Sequence, residues 1–290
     1  MNKFSVILPT LNRENELEDC IKSLIFQTYN NIEIIIVDQS DNDLTKNVVE
    51  KYMMKNHVKI KYIKSNIKSL SNARNIAISE SEGDYILLAD DDAVYNENYI
   101  MTANRIINQG NDELIISGVI LTKENRKPFV KYSIAKDQEI LNINKVLKIS
   151  LSASLVINIK LFKDIGLFDE NFGIGGKFGA AEESDFIIRC IKNNYKVIHC
   201  KEMVLYHPVA KKACNEESLR KVYSYAVGTG ALVKKHLYYN RNYNLINKAI
   251  RLIMAPIIKI FLSFNDKDER LYQITRLKGH ISGFLQYRRI

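Results

Sequence analysis

No CxxC pair joins any of the four cysteines, Cys20, Cys190, Cys200 and Cys214. Zinc-ribbon and thioredoxin-like chemistry therefore have no ligand framework to rest on. Scattered thiols of this kind are expected to stay reduced, which points to the cytosol. The opening MNKFSVILPT has no apolar core followed by a small-residue cleavage site. It reads as the first strand of a mature chain and not as a signal peptide. No uninterrupted apolar stretch reaches the ~18–20 residues that span a bilayer. Internal repeats and low-complexity linkers are missing as well. Lys and Arg number 42 against 33 Asp and Glu, a formal charge of +9, but the cations are dispersed. Without a basic stripe interleaved with aromatics, a nucleic-acid partner is not expected. The excess suits an anionic substrate or a lipid surface, or is a compositional habit rich in Lys, Asn and Ile.

What is present is a regular alternation over the first half of the 290 residues. Apolar runs predict strands at Phe4–Pro9, Glu33–Asp38, Val58–Ile63 and Asp84–Ala89. Between them, helical spacing predicts helices over Glu14–Gln27, Leu44–Met54 and Ser71–Glu80. Leu17, Ile21, Leu24 and Ile25 share one face of the first. Such alternation argues an α/β fold with a parallel sheet and right-handed crossovers, in which ligands bind at the carboxyl ends of strands. Further strands are expected at Leu114–Ile120, Ser152–Asn158 and in KVIHC, with a helix opening near Ala181. From Glu216 onward the pattern is helical. The expected organisation is one catalytic domain over 1–215 and a helical region over 216–290.

Several groups at these strand ends could carry chemistry. Asp90, Asp91 and Asp92 follow the apolar YILLA, either as a solvated turn or as a site for a hard cation such as Mg²⁺ or Mn²⁺. Asp38 closes EIIIVD, where it can accept hydrogen bonds from a base or ribose, or serve a turn. Arg74 lies near a helix start, placed to pair with phosphate or with an acidic neighbour. Glu182, Glu183 and Asp185 open a helix after a glycine-rich segment. They either favour the helix terminus electrostatically or supply a general base beside a mobile loop. His207, before a proline, is a packed imidazole or a metal ligand.

Taken in order, FSVILPTLNRENELEDCIKSLIFQTYNNIEIIIVDQSDNDLT, SLSNARNIAISESEGDYILLADDD, GLFDENFGIGGKFGAAEESDFIIR and LYHP resemble the family 2 glycosyltransferases over roughly residues 3–210. The resemblance implies the GT-A fold, a Rossmann-like, mostly parallel sheet flanked by helices, here with a helical C-terminal extension. It implies that Pro9, Thr10, Asn12 and Glu14 line the nucleotide pocket and that Asp38 holds the base. Arg74 would contact the nucleotide or its diphosphate. Asp90 would lie near ribose and metal, Asp91 between its neighbours in the nucleotide-sugar cluster, and Asp92 on the metal with His207. The family's Glu-Asp-x-Asp pattern falls on Glu182–Asp185 and puts Glu183 at the base position, a glutamate where the family has aspartate. Asp185 and then Glu182 follow as candidates.

The activity so implied is inverting sugar transfer dependent on Mg²⁺ or Mn²⁺. The donor would be a nucleotide-diphosphate sugar, UDP favoured. The acceptor would be a hydroxyl of a glycan or lipid-linked acceptor in bacterial cell-surface polysaccharide synthesis. The alternatives are a nucleotidyltransferase of similar α/β fold and a catalytically inactive glycosyltransferase-like subunit. The former would show a glycine-rich first loop where this chain has PTLNRENE. In the C-terminal third, SYAVGTGALVKKH offers small residues for close packing and a basic patch at Lys234, Lys235 and His236. NKAIRLIMAPIIKIFLSF is apolar with interspersed cations, and Pro256 is expected to kink it. Residues 240–290 are read as a peripheral contact with the inner face of the cell membrane. The competing reading is packing on the catalytic domain or in a homo-oligomer.

Overall fold

Runs without apolar–polar alternation become strands covered on both faces. Phe4–Thr10 (β1) and Ile32–Asp38 (β2) are buried at every residue. In the computed structural model, residues 1–53, 58–110, 114–209 and 214–288 are described. Glu14–Ile25 (α1) follows β1 and buries Leu17, Cys20, Ile21, Leu24 and Ile25, the one-face set expected of it. Leu44–Met53 (α2) follows β2, with residue 54 of the expected helix outside the described residues. Lys59–Lys64 (β3), Leu70–Ser79 (α3) and Tyr85–Leu88 (β4) complete the alternation. Ser69 caps α3 by accepting the Asn72 amide N–H.

The chain then runs through Val94–Tyr95 (β5), Tyr99–Ile107 (α4), Leu114–Thr122 (β6), Glu139–Ile140 (β7), Ile143–Ile149 (α5), Leu155–Asn158 (β8) and Ile159–Ile165 (α6). Glu182–Lys192 (α7) and Lys196–His207 (β9) follow. KVIHC proves to be only the start of β9, which is 12 residues long and ends at His207. All these strands form one sheet in the order β3-β2-β1-β4-β8-β6-β9-β5, with β7 also on β9. Pairing is parallel from β3 to β4 and between β6 and β9, and antiparallel where β8 joins β4 and β6.

The sheet belongs to a compact unit of Met1–Phe168 and Arg189–Val209; Asp169–Ile188 and Ala210–Ile290 make a second. In the first unit the Asn75 side chain exchanges two hydrogen bonds with the Phe168 backbone, both 3.0 Å. Arg189 donates to the carbonyls of Ile165 and Leu167, each at 2.8 Å.

The second unit holds Glu216–Val233 (α8), Ile246–Leu262 (α9) and Lys267–Gln286 (α10). Here the small residues do what their size permits. A Cβ on Gly230 would stand 2.1 Å from the His280 carbonyl, and one on Gly283 1.9 Å from that of Val227. Helices α8 and α10 therefore touch main chain to main chain. Phe172 and Phe178, from the glycine-rich segment, pack together at 5.3 Å, and Phe178 meets Tyr287 at 5.6 Å. Helix α9 runs unbroken through Pro256.

Candidate active site

Register sets the first part of the site. Thr10 of β1 stands opposite Asp38 of β2, which stands opposite Lys64 of β3. Asp38 is fully buried, and its carboxylate accepts from Tyr62 Oη at 2.7 Å, Lys64 Nζ at 2.8 Å and the Ser40 amide at 2.8 Å. Burial pushes its pKa up, but Lys64, Ser40 and Tyr62 outweigh burial and leave it below the usual carboxylate value. Pro9 is buried within β1. Asn12 adopts φ 54°, a left-handed conformation that Asn tolerates. Its amide donates to Ser40 Oγ at 2.8 Å, tying the turn after β1 to the end of β2. Glu14 is the half-buried first residue of α1.

The three aspartates separate by partner. Asp90 receives Arg74 Nη2 at 3.1 Å, and Arg74 is fully buried, with its guanidinium 5.9 Å from the Phe168 ring centroid. Asp91 turns inward and accepts from Thr10 Oγ1 at 2.8 Å and Arg13 Nη1 at 3.0 Å. Burial lifts its pKa to about 6; Arg13 and Thr10 pull downward, while Asp92 and Asp90 add to the rise. Asp92 meets Arg13 Nη1 at 2.8 Å on one oxygen and His207 Nε2 at 2.9 Å on the other. The sheet brings this last pair together. Val94 of β5 pairs with Tyr206 of β9, so the residue two before Val94 comes beside the residue after Tyr206. Burial disfavours charge on both members, yet each is shifted toward its charged form, Asp92 down and His207 up, because they face each other.

The donor chemistry of this pair fits a divalent cation. Neighbouring ligands on a six-coordinate ion with ~2.1 Å bonds lie about 3 Å apart, close to the 2.9 Å between Asp92 and His207. The carboxylate suits Mg²⁺ or Mn²⁺, and the imidazole adds a ligand that transition metals accept. Among the described residues no cluster of three or more His, Cys, Asp or Glu forms a complete cage. An ion here would fill its remaining positions from water and substrate phosphate, as Mg²⁺-type sites commonly do.

The carboxylates of α7 lie in the second unit up to Ile188. Asp185 is fully buried, 2.7 Å from Lys235 Nζ and 2.8 Å from His236 Nε2. Glu182 is also buried, whereas Glu183 is half-buried and receives Ser184 Oγ at 3.0 Å. Residues two apart on a helix point about 200° apart, so an inward Asp185 goes with an outward Glu183. Ala181, just before the helix, has φ 77°, an uncommon conformation for a residue with a side chain.

Arg13, Tyr62 and Lys64 escaped sequence reasoning. Arg13 follows Asn12 in the quoted PTLNRENE, and a cation beside three aspartates was the available signal. Lys64 and Tyr62 needed the β2–β3 register. Of the basic patch expected at Lys234, Lys235 and His236, His236 is fully buried and Lys235 only 14% exposed, because both turn inward to Asp185.

Residues 5–166 match the family model described as Glycosyl transferase family 2. Poly(ribitol-phosphate) beta-N-acetylglucosaminyltransferase TarS of Staphylococcus aureus is 24% identical over 216 residues, 73% of this chain and 36% of TarS. Glycosyltransferase GlyG of Streptococcus pneumoniae is 30% identical over 185 residues, 60% of this chain and 61% of GlyG. The match thus spans from about a third to three fifths of the length of these relatives. The crystal structure of TarS 1–349 in complex with UDP-GlcNAc superposes with a TM-score of 0.60 at 19% identity, covering 94% of this chain and 90% of that one. Mannosyltransferase PcManGT from Pyrobaculum calidifontis, in complex with GDP-Man and Mn²⁺, gives 0.69 at 14% identity, covering 98% and 87%. At such identities the likeness is one of fold, and it is the expected α/β GT-A architecture with a helical C-terminal region. With more than half of its length matched by the family model, the chain belongs to the glycosyl transferase family 2.

Proposed function

We propose that the protein transfers a sugar from a nucleotide-diphosphate sugar, UDP-linked by preference, to a hydroxyl of a glycan or lipid-linked acceptor in cell-surface polysaccharide synthesis, with inversion. The observation that carries this reading is the convergence of Asp38, Arg13, Asp90–Asp92 and His207 at the carboxyl edge of the sheet in the first unit. Asp38, held by Lys64 and Tyr62, receives the base. Thr10, Asn12 and Arg13 form the turn over which the nucleotide lies, with Pro9 and Glu14 at its two ends. Arg74 acts through Asp90, which faces the ribose, and Asp91 braces Thr10 and Arg13 from below.

Asp92 and His207, with Asp90 nearby, would hold Mn²⁺ or Mg²⁺, which when bound neutralises charge on the departing diphosphate. Glu183 takes the proton of the acceptor hydroxyl as that oxygen bonds to the anomeric carbon. The bond from that carbon to the diphosphate oxygen breaks on the opposite face, and the nucleoside diphosphate leaves with the electron pair. TarS is named for a poly(ribitol-phosphate) acceptor and has structures with UDP-GlcNAc and UDP, which supports a UDP donor and a surface-polymer acceptor. Contact of residues 240–290 with the inner face of the membrane would bring the protein to such an acceptor.

The test is a screen of UDP- and GDP-sugars for release of nucleoside diphosphate, with and without Mn²⁺. A metal-dependent response to at least one donor is expected. Glu183→Gln should lower its turnover at least a hundredfold and leave donor affinity within about threefold. Silence across all donors overturns the transferase reading, and a fully active Glu183→Gln moves the base elsewhere.

A further inference from the structure

Helix α7 begins on a cluster of charge within the second unit. Asp185 Oδ1 lies 2.7 Å from Lys235 Nζ and 2.8 Å from His236 Nε2. Lys235 also reaches Asp169 Oδ2 at 2.8 Å and lies 5.0 Å from the Phe172 ring centroid. Asn240 Nδ2 stands 3.2 Å from His236 Nδ1. As donor there, the amide leaves the imidazole proton on Nε2, directed at Asp185. Lys234–Tyr239, which carries both residues, winds as a π-helical turn, a rare form frequent at functional sites.

Such a cluster is a costly way to hold a helix. Buried ion pairs are often matched or bettered in stability by apolar side chains of similar size, so stability alone does not account for one here. What the cluster does is fix the rotation of the first turn of α7. The backbone just before it is gripped too: a Cβ on Gly228 would stand 2.6 Å from the Ala180 carbonyl, which leads into the strained Ala181. With Asp185 anchored inward, Glu183 is directed outward.

We propose that Lys235 and His236 are positioning residues that aim Glu183, so that the helical region after residue 215 is part of the catalytic apparatus. This rests on Glu183 being the base. The pair acts through Asp185 and the first turn of α7, and its loss is expected to leave donor binding by the first unit unchanged.

The experiment uses the full chain, the nucleotide sugar that the wild type turns over, and UDP with Mn²⁺ as the binding probe. Lys235→Met and His236→Leu should each lower kcat at least tenfold while the Kd for UDP moves less than threefold. His236→Gln, whose amide can still donate to Asp185, should recover kcat to within about threefold of wild type. Wild-type kcat in Lys235→Met and His236→Leu overturns the proposal. So does a parallel loss of kcat and UDP binding, or a His236→Gln no faster than His236→Leu. Should Lys235→Met not fold, the two His236 variants, which keep the Lys235–Asp185 pair, carry the same decision. Glu183→Gln run alongside separates the two ideas: full activity there removes the base assignment, whereas an inactive Glu183→Gln beside fully active Lys235 and His236 variants removes only the positioning role.

Discussion

Asp92 and His207 each favour the other's charged form, and a cation bound at the proposed site would have to break that arrangement. The pKa of His207 is raised in the folded protein, so its pairing stabilises the fold fully below the unfolded value and ceases to do so as pH rises through the folded one. Asp92 is depressed, and its share is lost only as pH falls through that lowered value. A metal ligand must be neutral imidazole, so an ion bound at the proposed site would displace the His207 proton. Mn²⁺ affinity, followed by titration calorimetry, should therefore climb up to about tenfold per pH unit while His207 is protonated and level off above its raised pKa. His207→Ala should bind more weakly and with a flatter pH profile. An unchanged profile in that variant would take His207 out of the metal site. The buried Asp91 runs the other way: with its pKa near 6, its ionisation lowers stability as pH rises from about 4 to about 6. Asp91→Asn should stabilise the ligand-free protein at pH 7.5 by about 1–3 kcal/mol, seen as a higher melting temperature; a lower one there would show that the Arg13 and Thr10 contacts outweigh the burial.

At the scale of elements, the close approach of α8 and α10 makes the sharpest stability prediction. A glycine-to-alanine change within a helix usually gains about 1 kcal/mol. At Gly283 the added methyl would lie 1.9 Å from the Val227 carbonyl, so the helices must separate. Gly283→Ala should instead cost about 1–3 kcal/mol as overpacking does, seen as a lower melting temperature; a gain would mean the helices are not in such contact. The glycines of SYAVGTGALV and the alternation of the first half were legible because size and periodicity are local properties. The span of β1 and β2, and the placing of Asp38 and Asp90–Asp92 at strand ends, followed from the same signals. What was not legible depends on partners distant in sequence. Lys235 and His236 read as a basic patch with no assigned partner because Asp185, which they meet in the fold, lies some fifty residues earlier. Arg13 needed the approach of Asp91 and Asp92, and Lys64 needed its register against Asp38. The full length of β9 was hidden because Lys201 and Glu202 are exposed in its middle and interrupt the apolar run.

At the scale of the molecule, family membership leaves no reason to keep the nucleotidyltransferase alternative, and the turnover screen decides between an active enzyme and an inactive relative. Helix α9 exposes an apolar face. Its buried residues are Leu252 and Pro256, while Ile250, Ile253, Met254 and Ile258 are exposed and Phe261 and Leu262 reach 78% and 79%. The exposed set recurs at three- and four-residue spacing, so it forms one face about 18 Å long. The helix carries Lys248, Arg251 and Lys259 and no acidic residue. No helix among the described residues is long and apolar enough to cross a membrane. An apolar face beside cations suits a helix lying in the headgroup region of an anionic bilayer, where each large side chain withdrawn from water contributes roughly 1.5–3 kcal/mol. The full chain should float with phosphatidylglycerol-containing vesicles, less with pure phosphatidylcholine, and less again in high salt. Phe261→Ser should weaken the affinity for these vesicles at least tenfold, since about 1.4 kcal/mol suffices for that. If the wild type stays in solution as a dimer that Phe261→Ser dissociates, the same face is a subunit interface and the membrane reading falls.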